Sequence, residues 1–570
     1  MLQRLDRLPS TSPGRGARVL WALTIAAILT GIGGWATQTL VGGVIALWSF
    51  CVAAALIALV LPLPAALVSP LYMGVAGWLV DMLPLVILVG WTAVVLRWAY
   101  SLLREKRLPR GGRFAWVAIA VLVWTGLGVA VITRLDFKHF LLLLGIQFLS
   151  TGAILACVDA LEALEDRART ARGLLAFVIL LSVAVLMQWV GIDIEALQNG
   201  ETRKRVEVAY GVDAFPNNIG MIKYARSKNA GSIELRQRLE SVAADTPEMP
   251  EFEVFRPGFQ AFENSLVVRF EGSARDFEGE LAVARVELLY DNIGLSPANT
   301  VPRMRSFPRN ALTYAGICAA LFPLAFFFLW TDDRRRRRFG VAAACACLFG
   351  AGFSLARGSW VAIALGVIYL AVDGVLTRNR MKQVVLFVVA GAVVLTGTYL
   401  VKYKVDPLTG RAGGSESIVT RQDLYKDTLG ILKGPVKYIF VGYGTERPRT
   451  ESGTVKDGNR YVPRAGTHST YLNYLFRTGL PGALLIMALY AMAFLHTRAR
   501  AKERGPEEPS TFSTLTAASC VTAAAHGVIL SLYVEPIYTL TISLLLGIAA
   551  ANGRGVDSPL LPWVKTRAER

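Results

Sequence analysis

A chain of 570 residues that is 54% hydrophobic and only 18% charged is too apolar for a soluble globular protein, and the same numbers exclude disordered, collagen-like and disulfide-scaffold classes. The formal charge of +18, from 60 basic and 42 acidic residues, would point a soluble protein toward nucleic acid. Here the basic residues fall in short clusters between long apolar runs, so the charge bears first on membrane topology and no nucleic-acid partner is expected.

The runs are taken in chain order. With Arg4, Arg7, Arg15 and Arg18 in the cytoplasm, runs near 19–36, 40–60, 65–80 and 83–102 return the chain to Arg104, Lys106, Arg107, Arg110 and Arg113. Runs at 114–132 and 140–160 return it to Arg167, Arg169 and Arg172, and a run at 174–192 leads into a long polar stretch, 193–309. Further runs at 310–330, 340–356, 359–377 and 383–401 keep Arg334 to Arg338 and Arg378, Arg380 and Lys382 on the starting side. A second polar stretch, 402–467, follows, and then runs at 470–495, 512–533 and 537–552, which leave Arg498 to Arg504 and the Lys565 and Arg567 tail on the starting side. Every short basic loop therefore falls in the cytoplasm, as do both termini, and both polar stretches lie outside. The predicted fold is an all-α polytopic membrane protein of about 12–14 spans. Pro62, Pro64, Pro70 and Pro84 allow the early runs to be broken or re-entrant, which lowers the count without changing parity. The first run lacks a small-residue cleavage site and is expected to stay attached.

This divides the chain into N-terminal spans (1–192), a first outer insertion (193–309), central spans (310–401), a second outer loop (402–467), and C-terminal spans with a tail (468–570). In the insertion, alternation over 251–255, 265–270 and 280–290, separated by Pro257-Gly258, Glu271-Gly272-Ser273 and Asp291-Asn292, predicts a β-sandwich-like domain. Amphipathic helices are expected around 219–227 and 233–243. Phe255, Phe259, Phe262 and Phe270 read as core before they read as a sugar platform. All six cysteines lie in apolar runs and read as small packing residues, with neither metal-ligand spacing nor disulfide partners.

Chemistry-bearing residues concentrate around the second outer loop. Arg357 stands at an outer boundary between two spans, where an arginine is either a helix-end anchor or a ligand contact. The 402–467 loop has twelve Lys or Arg against seven Asp or Glu, including Arg421 on an amphipathic stretch that continues to Tyr425. Gly442-Tyr443-Gly444 forms a small-residue turn, and Gly466-Thr-His468-Ser469 leads into a span with Asn473 and Tyr474. His468 is the one histidine of four at an outer helix start beside hydroxyl and amide groups, where a helix N-terminus favours a bound anion. Arginine grips phosphate through a planar fork that stays charged. Arg357, Arg421 and His468 thus describe a diphosphate site with a proton acceptor beside it. Glu416, Asp423 and Glu446 read as partners of the loop's bases. Tyr443 and Tyr474 read by default as interfacial belt residues, and otherwise as packing against lipid or sugar.

His468-Ser469, nine residues, then Gly479-Leu480 resembles the signature of the O-antigen ligase and polymerase superfamily. Phe307-Pro-Arg-Asn310, Phe322-Pro323-Leu324, the Arg357-Gly-Ser-Trp360 element, the Arg421 helix and Gly442-Tyr-Gly444 carry the same likeness, which covers about 300–500. The resemblance implies a C-type (GT-C-like) membrane glycosyltransferase of the bacterial inner membrane, working at the periplasmic face with no metal, cofactor or nucleotide sugar. Its donor would be an undecaprenyl-diphosphate-linked glycan and its acceptor lipid A-core or another lipid or protein. Arg357 and Arg421 would hold the donor diphosphate. His468 would activate or position the acceptor hydroxyl, with Ser469, Tyr443, Gly442, Gly444, Asn310 and Tyr474 in support. A ligase and a repeat-unit polymerase share this site. A transporter or flippase would be marked by mid-span ionisable residues and internal repeats; apart from His526 the span centres are nearly free of charge, and no repeat is found.

Overall fold

The computed structural model describes residues 15–37, 40–79, 82–132, 137–189, 205–211, 265–271, 285–288, 306, 311–354, 356–373, 377–403, 425–426, 428–433, 436–442, 455–457, 460–462, 469–502, 507–529 and 535–552. The apolar runs fold as helices: α1 (Arg15–Ala36), α2 (Leu40–Val60), α3 (Leu63–Ala66), α4 (Ser69–Leu79), α5 (Leu83–Glu105), α6 (Gly112–Ile132), α7 (Phe137–Ala160) and α8 (Leu164–Trp189). After the insertion come α9 (Ala311–Leu329), α10 (Arg334–Phe353), α11 (Arg357–Asp373) and α12 (Arg378–Tyr403), then a short α13 (Val436–Val441), and finally α14 (Thr470–Ala501), α15 (Glu507–Ile529) and α16 (Pro536–Ala551). Among the described residues, six helices are long and apolar enough to cross a membrane by length and composition. The molecule is a helical multi-pass membrane protein.

The proline-rich run at 65–80 is broken, as the sequence allowed. Pro62 caps the four-residue α3, and Pro70 falls in the first turn of α4, which is too short to span alone. The bundle is built around α9, which is enclosed on nearly all sides and packs on α8, α10, α11, α15 and α16. A helix apolar all round has no polar face to turn outward, so it takes the centre. Tyr314, Phe322 and Phe326 are fully buried, with Phe322 and Phe326 edge to face at 5.2 Å. Five cysteines are buried and unbridged, as expected; Cys345 differs, facing outward from α10.

The insertion departs from expectation. Strands β1 (Arg205–Gly211), β2 (Ser265–Glu271) and β3 (Arg285–Leu288) form one antiparallel sheet in the order β1-β2-β3, with Val206 opposite Phe270 and Val268 opposite Leu288. Two of these strands lie where alternation put them, and β1 was not anticipated. A sandwich needs two sheets face to face, and the described residues of the insertion supply one, so the β-sandwich is not borne out. Alternation reports that a strand has an apolar face and carries no information about what covers it. The expected strand at 251–255 and the helices near 219–227 and 233–243 lie outside the described residues. A two-stranded ladder, β4 (Val455–Asp457) with β5 (Arg460–Val462), stands in the second loop.

The basic loops gather at one end of the bundle. Arg107 donates to both oxygens of Asp159 at 2.5 and 2.8 Å, and Trp98 and the Arg110 backbone complete that carboxylate's bonding. Arg167 donates to the Ala551 carbonyl at the end of α16, Arg172 lies over Phe339 at the start of α10, and Arg380 lies over Trp330 and reaches Thr511. Arg498 near the end of α14 pairs with Asp373 at the end of α11 at 3.1 Å. These contacts tie the termini of α5, α7, α8, α9, α10, α11, α12, α14, α15 and α16 into one layer, here termed the basic end. Hydrogen bonding to Asp159 raises the proton affinity of Arg107 against the opposing cost of burial. Asp159 is almost fully buried while Arg107 is about one-third exposed, so Asp159→Asn is expected to destabilise the bundle by about 3 kcal/mol, near the lower limit for breaking a buried pair. A thermal unfolding midpoint in detergent that does not fall would contradict this.

Candidate functional site

The opposite end is organised by three consecutive residues of α15. Ser469 caps α14 in extended backbone (φ −136, ψ 130). Its oxygen accepts from the Leu472 N–H at 3.5 Å, and its hydroxyl donates to the Gly527 carbonyl at 3.4 Å. Tyr425 donates to the Val528 carbonyl at 3.1 Å, and His526 Nδ1 lies 3.2 Å from the Tyr538 hydroxyl on α16. Tyr471 secures the same pair of helices one turn deeper, donating to Ala524 at 3.1 Å. Three segments far apart in the chain therefore meet on residues 526–528. The carbonyls of a helix's last turn have no intrahelical partner, which is why side chains from elsewhere can dock on them.

α11 joins this end along the flank of α15, with Gly366 packed against Thr522. Nine residues of helix carry the chain from Gly366 back to Arg357, about 14 Å, while Gly527 is about 8 Å along α15 from Thr522. The two helices run antiparallel, because the far end of α11 is held at the basic end through Asp373 and Arg498. Arg357 is exposed at the first residue of α11, on the same end of the bundle as Ser469. Arg421 and His468 lie outside the described residues, as do Asn310, Tyr443 and Gly444. What the structure brings together are their chain neighbours: Tyr425, four residues after Arg421, and Ser469, which directly follows His468. Ser306, buried with φ +57 and donating to the Leu181 carbonyl at 2.7 Å, fixes the chain just before Phe307-Pro-Arg-Asn310.

Below this end, α13 docks into a break in α14. Gly479 interrupts α14 with φ +71 and ψ −175, and Gly442, at the end of α13, has φ +75. The two backbones touch: a Cβ on Gly479 would stand 2.4 Å from the Phe440 carbonyl carbon, and one on Gly442 would stand 2.4 Å from that of Arg477. The break frees the Thr478 carbonyl, which accepts from the Trp124 indole N–H of α6 at 2.9 Å. Arg477, one turn below Asn473, donates to its side-chain oxygen at 2.9 Å. Tyr474 is buried, and its hydroxyl donates to Gln147 of α7 at 3.0 Å. It stands inside the bundle, where a phenol needs a partner, and not in an interfacial belt.

Sequence reasoning missed several participants. The Gly527 and Val528 carbonyls have no side-chain signature, and nothing marks Trp124 or Gln147 among their apolar neighbours. Glu535 did carry a signal, as the one Asp, Glu, Lys or Arg between Glu508 and Arg554. It stands half-buried at the start of α16, and burial raises its carboxyl above the ordinary range.

Residues 342–487 match the protein family described as O-antigen ligase. The chain thus carries an O-antigen ligase family segment within its membrane bundle. No curated protein matches the chain. The superfamily segment runs from within α10 through the α13 and α14 junction and takes in Arg357, Arg421, Gly442, His468, Ser469 and Gly479. Members of the O-antigen ligase superfamily are glycosyltransferase-like membrane enzymes of polysaccharide biosynthesis acting on lipid-linked glycans. The strip at 526–528 on which its Tyr425 and Ser469 dock lies beyond the matched segment.

Proposed function

We propose that this protein is a membrane glycosyltransferase that moves a glycan from an undecaprenyl-diphosphate donor to lipid A-core or another lipid or protein acceptor. The observation that carries the reading is the convergence on residues 526–528, at the end opposite the basic loops, of the segments next to His468 and Arg421. With basic loops cytoplasmic, the site faces the periplasm from the bacterial inner membrane and both termini are cytoplasmic. Taking α3 and α4 as one broken crossing and leaving out the short α13 gives fourteen spans, in a GT-C-like architecture.

In this reading Arg357 and Arg421 grip the donor diphosphate through their planar forks. The acceptor hydroxyl, oriented by His468, attacks the anomeric carbon, and the bond to the diphosphate oxygen breaks. A diphosphate is already a good leaving group, so the protein supplies charge stabilisation and orientation more than strong acid. Ser469, Asn310, Tyr443 and Tyr474 support the site, and Gly442 and Gly444 let the backbone approach it.

The test is transfer by the purified protein from a synthetic undecaprenyl-diphosphate glycan, with product analysis, in the presence and absence of a chelator. The expected result is one transfer per acceptor at the same rate under both conditions. Chain extension on the lipid carrier would identify a repeat-unit polymerase, and no transfer at all would remove the reading.

A further inference from the structure

Asp333 caps α10, its side chain accepting from the Arg335 N–H at 2.8 Å, and Arg334 to Arg338 then fill the first positions of that helix. Two local effects oppose this arrangement. A helix N-terminus carries partial positive charge and favours acids, as in α8 with Glu165 and Asp166, whereas the first turn of α10 has none. Like charges one turn apart also repel, as Arg334 does with Arg337 and Arg338, and Arg335 with Arg338. Elsewhere at the basic end arginines are neutralised within the fold: Arg107 by Asp159, Arg110 by Glu162, Arg169 by Asp166 and Arg498 by Asp373. In the α10 run Arg336 lies 3.7 Å from Asp333, and among the described residues the exposed side chains of Arg334, Arg335, Arg337 and Arg338 have no anionic partner.

The fold fixes the depth of these charges. α9 and α10 pack so closely that a Cβ on Gly340 would run into the Leu329 backbone, which puts Gly340 level with the end of the α9 span. Along α10, Arg338 then stands about 3 Å and Arg334 about 9 Å beyond that level. The headgroup layer on each side of the hydrocarbon core is about 5–8 Å thick, so the run crosses it. Aromatic rings of the kind that sit at a membrane interface mark the same depth: Trp330, directly after α9, lies 5.4 Å from the Arg380 guanidinium, and Phe339 lies 5.3 Å from that of Arg172. α10 packs on both α8 and α12, so Arg172 and the exposed Arg378 and Lys382 border the same surface. We propose that the start of α10, with these neighbours, is a binding site for the headgroup of an anionic phospholipid. A basic cluster at headgroup depth that the fold leaves unneutralised is complementary to a negatively charged lipid, and the arginine forks match its phosphodiester oxygens. A bound headgroup relieves both the repulsion along the run and its conflict with the helix dipole. The site requires only a bilayer and is independent of the glycosyltransferase reading.

The experiment places the full-length protein in phosphatidylcholine vesicles with a trace of spin-labelled phosphatidylglycerol or spin-labelled phosphatidylcholine, and measures by electron paramagnetic resonance how strongly each associates with the protein. Wild type is expected to prefer phosphatidylglycerol by at least about fivefold at low salt, with the preference shrinking as salt rises. Arg334→Gln, Arg335→Gln, Arg337→Gln and Arg338→Gln combined are expected to bring the two lipids to within about twofold of each other. The double variant Arg334→Gln with Arg335→Gln, which keeps more of the charge and serves if the fourfold variant does not insert, is expected to lie between. Lysine at the same four positions keeps the charge without the fork and should retain a weaker preference than wild type. Equal association of both lipids with wild type would overturn the proposal, as would a preference unchanged in the glutamine variants. Displacement of phosphatidylglycerol by inorganic phosphate beyond the effect of sodium chloride at the same ionic strength would also overturn it, by showing a site for small anions.

Discussion

Arg357→Ala is expected to lower glycan transfer by at least about a hundredfold while leaving the protein folded. Arg357 is the exposed first residue of α11, which is held along its length by α15 and at its far end by the Asp373–Arg498 pair. The helix therefore has anchors other than the Arg357 side chain, and an unfolding midpoint close to that of the wild type is the expected control. The loss should fall on donor use: two oxygens of a diphosphate lose a forked donor that lysine, a point charge, replaces only in part. Arg357→Lys is accordingly expected to lie between wild type and alanine, with a raised donor KM. Arg421→Ala and His468→Ala should abolish transfer as well, the first through the donor and the second through kcat at unchanged donor KM. Transfer retained by both arginine variants would remove the diphosphate clamp, whatever His468 does.

Gly479→Ala is expected to destabilise the protein by about 3 kcal/mol or more and to abolish transfer with it. At φ +71 and ψ −175 the backbone is in a region that is essentially glycine's alone, at a cost to other residues of about 1–3 kcal/mol. The added methyl would also have to displace the Phe440 backbone, which cannot swing away as a side-chain tip would. Gly442→Ala meets the same obstacle from the other side. Gly33 in α1 has nothing within 4 Å of its missing Cβ, so Gly33→Ala is the control, expected to shift stability by no more than about 1 kcal/mol. A Gly479→Ala protein with the wild-type unfolding midpoint and rate would show that α13 does not dock in the break of α14. The contact gives a physical account of two separate marks of the superfamily signature: Gly442 and Gly479 are glycines because each clears the backbone of the other's segment.

Much of the bundle was legible because its causes are local. Apolar runs of membrane length predicted every long helix, but the N-terminal ends of α8, α10 and α12 and the C-terminal end of α14 reach into basic segments; α8 begins ten residues before its run. Pro62 and Pro70 predicted the broken one, since proline acts on its own turn. The superfamily resemblance was also readable, being carried by residues at fixed spacing, and residues 342–487 bear it out. The insertion was read less well. Its alternation located β2 and β3, but pairing with β1 joins residues about sixty positions apart, and no alternation pattern specifies a partner sheet.

Composition and residue order by themselves determined that this protein is a multi-pass helical membrane protein with an O-antigen ligase family segment, because hydropathy, charge clustering and motif spacing act over one helix length or less. Only the tertiary structure decided that Ser469 and Tyr425, 58 and 103 residues from their partners, meet on the end of α15. The acceptors there are backbone carbonyls, identical in every residue, so their role depends on which helix end the fold carries to them and leaves no trace in the side chains.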